Sequence, residues 1–414
     1  MDIQGGAQPP ASTFKNAPEP GYVRFVQIRD FETDTHLTYI QKLPKWRYCF
    51  STDVLIARYG ASVGRICRGV AGAYNVALAK VVPKGEVELG FLYYLLKSDF
   101  FQGPIAAMSG RSAQAGFNKD DLAAIRVPVP PRSDQLKIAA TLSSLDDRIT
   151  LLRETNATLE AIAQAIFKSW FVDFDPVRAK MEGRTPEGMD EATAALFPDS
   201  FEESELGLVP RGWRVGSLAN LAILNPESWT AKKHPETVLY IDLANAKDNQ
   251  IAEVIHYDFD EAPSRARRVL RDGDTIFGTV RPGNRSFAFI HQAVHNLTAS
   301  TGFAVLRPRK IENTEFVYLA ATQDSSIEYL AHVADGGAYP AVRPEVVSGI
   351  QTALPSNTEM TAFHQVAAPL LASIAHNQQQ AQTLATLRDT LLPRLISGQL
   401  RLSEVEDAIA EAIA

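Results

Sequence analysis

The second half of this chain repeats the first at a fixed offset of 225 residues, and that repeat limits the fold more than any other feature. Pro83 falls on Pro308, Phe91 on Phe316, Tyr93 on Tyr318, Ile125 on Ile350, Pro130 on Pro355, Leu159 on Leu384 and Ile166 on Leu391, in one register over about ninety positions. Each copy runs from a strand-like region rich in Val, Ile and aromatics, through Val127 to Pro131 in the first, into a long helical pattern. A chain ordered globule, helix, globule, helix is suited to a pseudo-twofold arrangement, and a twofold protein suits a two-part linear target such as DNA. Duplication in a scaffold or an enzyme fits the repeat equally well, so the function rests on particular residues.

The helices carry the plainest periodicity. Ile138, Leu142, Leu145, Ile149, Leu152, Asn156, Leu159, Ala163, Ile166 and Trp170 alternate in steps of four and three, a heptad seam with one polar interruption at Asn156. The seam recurs as Phe363, Ala367, Leu370, Ile374, Asn377, Ala381, Leu384, Arg388, Leu391 and Leu395, with its own asparagine. Two such helices in one chain are expected to pair antiparallel, with Asn156 opposite Asn377 fixing the register. About 33 residues at about 1.5 Å each give a rod of roughly 50 Å, longer than one turn of DNA. Two separate amphipathic helices, each lying on its own domain, is the other arrangement the pattern allows.

At 414 residues the chain exceeds one ordinary core, and two domains with connecting elements fit it. With 45% hydrophobic residues and no apolar run near the roughly 18 residues that span a bilayer, it reads as a soluble protein without membrane contact. Met1 to Ala11 lacks a basic stretch followed by an apolar one, so no secretory signal is read there. Only Cys49 and Cys67 are present, outside any CxxC, which points to a reducing cytoplasm.

The net charge of −7 argues against a strong electrostatic grip on nucleic acid, but the acid is unevenly placed. Residues 1–130 carry 15 Lys and Arg against 11 Asp and Glu, residues 131–210 carry 8 against 15, and residues 211–355 carry 15 against 16. The first helix and the linker hold the excess acid, while the globular parts are basic or near neutral. Phosphate contacts supply most non-specific affinity for DNA. If this chain reads DNA, partner subunits must supply much of the grip.

Pro176, Pro186, Pro198 and Pro210, with acid clustered between Asp190 and Glu205, predict an extended linker over 172–211 with one short helix near Met189 to Leu196. The sequence here becomes specific. FKSWFVDFDPVRAKMEGRTPEGMD from Phe167 to Asp190 and LFPDSFEESELGLVPRGWRVGSL from Leu196 to Leu218 closely resemble the central conserved region of specificity subunits of type I restriction-modification systems. PPRSDQLKIAATLSSLDDRITLLRETNATLE, from Pro130 to Glu160, resembles the same family, and RDTLLPRLISGQL from Arg388 to Leu400 resembles its distal conserved region. Through the repeat, the resemblance extends over nearly the whole chain.

The resemblance implies a noncatalytic protein with two target recognition domains, each reading one half of a split double-stranded DNA sequence. The helices then serve as spacer and as docking surface for two modification subunits, which methylate adenine with S-adenosylmethionine held on those partners. A restriction and translocase subunit completes the complex. The chain itself is expected to hold no cofactor. The predicted class is α+β: domain one over 1–130, spacer helix over 131–171, linker over 172–211, domain two over 212–355, second helix over 356–400, and an acidic tail over 401–414. Met1 aligns beyond the point matching GWRVGSLANLA, Gly212 to Ala222, so domain one is expected to lack its opening segment. The alternative from another class is a helical scaffold that binds proteins and reads no DNA.

Catalytic signatures are missing. There is no GxGxxG after a strand, no GxxxxGK, no HExxH and no CxxC cluster. An adenine methyltransferase needs an acidic or amide residue, two prolines and an aromatic in succession; Asp175-Pro176-Val177 and Asn225-Pro226-Glu227 do not qualify.

The candidate readers therefore lie in loops of the globular parts. ARYGASVGR, Ala57 to Arg65, offers Arg58, Tyr59 and Arg65 after an apolar strand. GRSAQAGFNK, Gly110 to Lys119, offers Arg111, Gln114, Asn118 and Lys119, types that pair with guanine and adenine edges or with phosphates. In the second half VRPGNR supplies Arg281, Asn284 and Arg285, and GGAYPAVR supplies Tyr339 and Arg343. Lys232 and Lys233, and the cluster from Arg265 to Arg271, are better suited to phosphates or to plain solvated faces. Gln114 falls on Tyr339 and Arg111 on Gly336, so the two domains differ where readers sit and the target is expected to be asymmetric.

Overall fold

The computed structural model describes residues 1–109 and 116–400. Arg111, Gln114 and the acidic tail lie outside the described residues. The chain divides into two units, Met1–Leu151 with Gln380–Ala414, and Leu152–Gln379.

Both units are built on the same pair of four-stranded sheets. In the first unit one sheet has the order Asp2–Gly5, Leu78–Val82, Leu55–Ala57, Ile66–Cys67, antiparallel throughout. The other has the order Tyr39–Gln41, Tyr22–Val26, Gly72–Tyr74, Tyr48–Cys49, with Tyr22–Val26 parallel to Gly72–Tyr74. The second unit repeats both. Its antiparallel sheet is Ala222–Leu224, Phe303–Pro308, Thr275–Gly278, Phe287–Phe289. Its mixed sheet is Ile255–Asp258, Thr237–Ile241, Leu297–Ser300, Ala266–Val269, with Thr237–Ile241 parallel to Leu297–Ser300.

The apolar runs in the central strands follow from burial on both faces. Phe277, Ala304 and Leu306 pack into a cluster with the helix Thr314–Thr322 and with the long helices, while Ile276, Phe303 and Val305 pack with Ile241 and Ala299 of the second sheet and with Leu270 just beyond its Ala266–Val269 strand. The second unit also pairs Arg214–Ser217 with Gln351–Leu354. That strand brings the Gly212 to Ala222 opening segment onto the unit's closing strand. In the first unit the corresponding stretch Val127–Val129 is not a strand.

The long helices are Arg132–Phe171 and Asn357–Ser397. Within each unit they run antiparallel. In the second unit Asn377 Nδ2 donates to Asn156 Oδ1 at 2.9 Å, Asn156 Nδ2 donates to the Ile374 carbonyl at 3.0 Å, and Phe363 lies 5.9 Å from Phe167 and 4.9 Å from Phe171. In the first unit Arg388 Nη1 donates to Asp146 Oδ1 at 2.5 Å. The buried stripe is wider than a heptad seam, since Phe167, Phe171, Leu371, Leu392 and Ile396 are buried beside it. A two-helix seam covers one edge of each helix; these also cover a sheet unit, and so need the broader apolar face of a globular helix.

The linker is more ordered than its prolines suggest. Asp175–Met181 is a helix with Pro176 in its first turn, where the missing N–H has no intrahelical role. Asp190 caps Glu191–Leu196 by accepting from the Thr193 N–H at 2.9 Å, and Phe201–Ser204 pairs with Gly207–Pro210 as a hairpin. Phe197, Val209 and Trp213 are buried with Trp170 and Phe171. Aromatic anchors in the linker thus compensate the ordering entropy that an extended chain would keep.

Candidate nucleic-acid interface

Ion pairing separates the arginines of the second unit into two kinds. Arg265 is paired with Asp242, Arg271 with Glu227, and Arg307 with Glu227 and the fully buried Asp274. Arg285 donates to Asp248 at 2.5 Å and to Asp324 at 2.6 Å; burial opposes its charge, but the two carboxylates outweigh it and raise its pKa. These guanidinium groups are committed to the fold. Arg281, Arg343, Lys232 and Lys233 are exposed and form no ion pair among the described residues.

Arg281 and Tyr339 meet at one corner of this unit. The strand Thr275–Gly278 continues to Val280, which bridges Ala341, and Asp335 bridges Ala341 in turn, so that residues 335–341 form a narrow tip. Gly336 and Gly337, at φ +122° and +59°, turn that tip, and Tyr339 stands 71% exposed on it. The Arg281 guanidinium lies 4.7 Å from the centre of the Tyr339 ring and donates through Nη2 to the Ala338 carbonyl at 2.7 Å. Asn284 is exposed in the adjoining turn, and Arg343 follows Val342, whose N–H donates to the Thr279 carbonyl at 2.9 Å. Lys232 and Lys233 occupy a separate turn closed by the Thr230–Lys233 bridge, next to the Ser228–Arg268 bridge. Among the described residues no bridge or ion pair joins them to the Arg281 corner. Arg268 is drawn inward instead: burial lowers its pKa, and its Nε has no hydrogen-bond partner among the described residues.

The first unit has the same corner with different occupants. Ala57 N–H donates to Arg65 and Arg58 N–H to Ala77, as Gly278 donates to Ser286 and Thr279 to Gly302; Tyr59 bridges Gly116 as Val280 bridges Ala341. These contacts set Arg58 against Thr279, Tyr59 against Val280, Gly60 against Arg281 and Gly64 against Arg285. The Arg58 guanidinium lies 5.0 Å from the Tyr59 ring, and its Nε is buried with no hydrogen-bond partner among the described residues. Tyr59 is 45% exposed. Arg65 is paired with Glu32 and Lys119 with Asp2 at 2.8 Å. Asn118 caps the helix Lys119–Ala124, its Oδ1 accepting from the N–H groups of Asp120 and Asp121. A second cluster in this unit escaped sequence reasoning: Arg68 and Lys97 lie 4.8 and 5.0 Å from the Tyr93 ring. Lys97 is one helical turn beyond Tyr93, but the approach of Arg68 is tertiary and leaves no sequence signal.

Residues 1–161 match the family model described as "Type I restriction modification DNA specificity domain". The HindI specificity subunit of Haemophilus influenzae is 27% identical over 369 residues, covering 75% of this chain and 77% of that protein. The MjaIX specificity subunit of Methanocaldococcus jannaschii is 24% identical over 339 residues, covering 80% and 73%. The chain is similar to type I specificity subunits over three quarters or more of its length. Its fold is similar to the crystal structure of the S subunit from M. genitalium, with a TM-score of 0.50 and 16% identity over 95% of this chain and 93% of that one. The chain carries a duplicated frame with two dissimilar cationic and aromatic corners, Arg58–Tyr59 and Arg281–Tyr339. Among its described residues no helix is long and apolar enough to cross a membrane.

Proposed function

We propose that the chain is the noncatalytic sequence-reading subunit of a type I restriction-modification complex. Each unit reads one half of a bipartite, asymmetric double-stranded DNA site. Two modification subunits dock on the long helices, carry S-adenosylmethionine and methylate adenine, and a restriction and translocase subunit joins them. The helices set the gap between half-sites, with Asn156 and Asn377 holding their register. The observation that carries this reading is the duplicated corner: one backbone frame, presented twice, with an arginine and a tyrosine drawn from non-equivalent positions each time. A repeat built only for symmetry has no need of different side chains at the two corners. Arg58, Tyr59, Arg281, Tyr339 and Arg343 are the proposed base readers, together with Arg111, Gln114 and Asn284, while Lys119, Lys232 and Lys233 contact phosphates.

The test is to express the chain with its modification subunit in a host lacking other adenine methylation and to map modified bases by long-read sequencing. A split motif with unequal halves and one fixed gap is expected. An uninterrupted motif, or methylation without sequence preference, would overturn the proposal.

A further inference from the structure

We propose that Arg281, held against Tyr339, reads a guanine in one half of the target site. This rests on the second unit being a half-site reader, and it deepens that reading to one residue and one base.

The observation is a swap of residue type at equivalent backbone positions. Hydrogen bonds and bridges that match across the two units place Gly60 with Arg281 and Gly64 with Arg285, an offset of 221 residues. All four residues sit in the left-handed region, the glycines at φ +77° and +84° and the arginines at +49° and +60°. Glycine occupies that region freely, whereas a β-carbon there meets the carbonyl that follows. An arginine kept where its counterpart is glycine therefore stands against a backbone preference, and something must offset it. For Arg285 the offset is visible: two carboxylates, Asp248 and Asp324, hold its guanidinium. For Arg281 no carboxylate among the described residues does so.

Arg281 is exposed and pairs with no carboxylate among the described residues. Its contacts are the Tyr339 ring and the Ala338 carbonyl, which fix the guanidinium plane through a single Nη2 bond and leave the rest of the fork open. Both partners belong to the tip 335–341, and the Arg281 N–H donates to the Pro340 carbonyl at 2.7 Å, so the residue is clamped at main chain and side chain alike. A pre-aimed fork of donors without a carboxylate partner among the described residues matches the paired acceptors O6 and N7 that only guanine presents in the major groove. Orientation by an aromatic face lowers the entropy lost on contact.

The test uses the complex reconstituted with its modification subunit. Binding selection from a randomised duplex library, followed by sequencing, is compared for the wild type, Arg281→Gly, Arg281→Lys, Tyr339→Ala and Tyr339→Phe, alongside thermal unfolding. Arg281→Gly adopts the residue of the other unit, so it is expected to unfold no earlier than wild type. It should lose preference for one G·C pair in one half-site by roughly 5- to 150-fold, with the other half unchanged. Arg281→Lys keeps the charge and should lose the same preference; Tyr339→Ala should weaken it and Tyr339→Phe should not. Unchanged preference in all variants overturns the assignment, as does uniform weakening on every sequence with a shallower salt dependence, the mark of a phosphate contact. Earlier unfolding of Arg281→Gly with preference intact would make the arginine structural. If the wild-type complex selects no bipartite sequence, the proposed function itself falls; a bipartite selection untouched by these variants sinks only the guanine reading.

Discussion

Replacing Asn156 and Asn377 by leucine, singly and together, tests what the asparagine pair does between the helices. Asn156 is 8% exposed and makes two bonds, to Asn377 and to the Ile374 carbonyl. Asn156→Leu removes both at about 1 kcal/mol each and leaves the half-buried Asn377 amide without its acceptor, at about 1 kcal/mol more. A leucine in that seam returns about 1.5–3 kcal/mol. The single change is therefore expected to lie within about 1.5 kcal/mol of neutral. In the double variant nothing is orphaned and two leucines are gained, so it should be more stable than wild type by about 1–3 kcal/mol. The two changes should also fail to add, by about 1–2 kcal/mol. Three of the four tryptophans, Trp170, Trp213 and Trp229, lie in the second unit, so urea unfolding followed by tryptophan fluorescence reports on it. Strict additivity would show that the two side chains act independently, and a destabilised double variant would refute the reasoning. The Arg388–Asp146 pair holds the same antiparallel register, so the half-site gap accepted by the complex is expected to loosen most when Arg388 is removed as well.

Phe363→Ala opens a cavity among Phe167, Trp170 and Phe171 and should cost about 3–5 kcal/mol by the same assay; a loss under 1 kcal/mol would mean that the cluster repacks. Arg307→Met strands the buried Asp274 carboxylate and is expected to cost about 3–5 kcal/mol at neutral pH, with much of the loss recovered by adding Asp274→Asn. Burial raises the Glu160 carboxyl against the hydrogen bonds of Tyr318 and Asn249, from an unfolded value near 4.5. A raised acid binds its proton more tightly when folded, so its contribution is full below pH 4.5 and falls as pH rises through the folded value. The unfolding temperature of Glu160→Gln relative to wild type should accordingly rise with pH above about 4.5, and a fall would contradict the assignment. Lys232→Ala with Lys233→Ala should flatten the salt dependence of DNA binding by the complex by about two units without altering its sequence preference; a changed motif would place these lysines at bases.

Much of the architecture was legible because it is written locally. Apolar residues spaced by three and four from Ile138 to Trp170 mark a helix whatever surrounds them, and a register held from Pro83 to Ile166 marks duplication. What escaped was tertiary. Nothing near Arg285 shows that Asp248 and Asp324, 37 and 39 residues away, hold its charge. The offset shortens from 225 to 221 across the strand and turn at Leu55–Arg65, where few identities mark the change, so the equivalence of Gly60 and Arg281 appears only through matched hydrogen bonds. The prolines of the linker misled for a related reason: Pro176 breaks a helix in the middle but starts one at its first turn.

The tip 335–341 is fastened at its base by main-chain bonds, through Val280 with Ala341, Asp335 with Ala341, Arg281 N–H with Pro340 and Val342 N–H with Thr279, beside the side-chain contacts of Arg281 and Asp335. Peptide groups are the same in every residue, so this main-chain part of the fastening is blind to the side chains mounted on it. Mutation can therefore redraft Gly337 to Tyr339 without reopening the joint beneath them. A lineage under pressure to change its recognised word can do so by small edits at this joint, while the frame that delivers it is inherited intact.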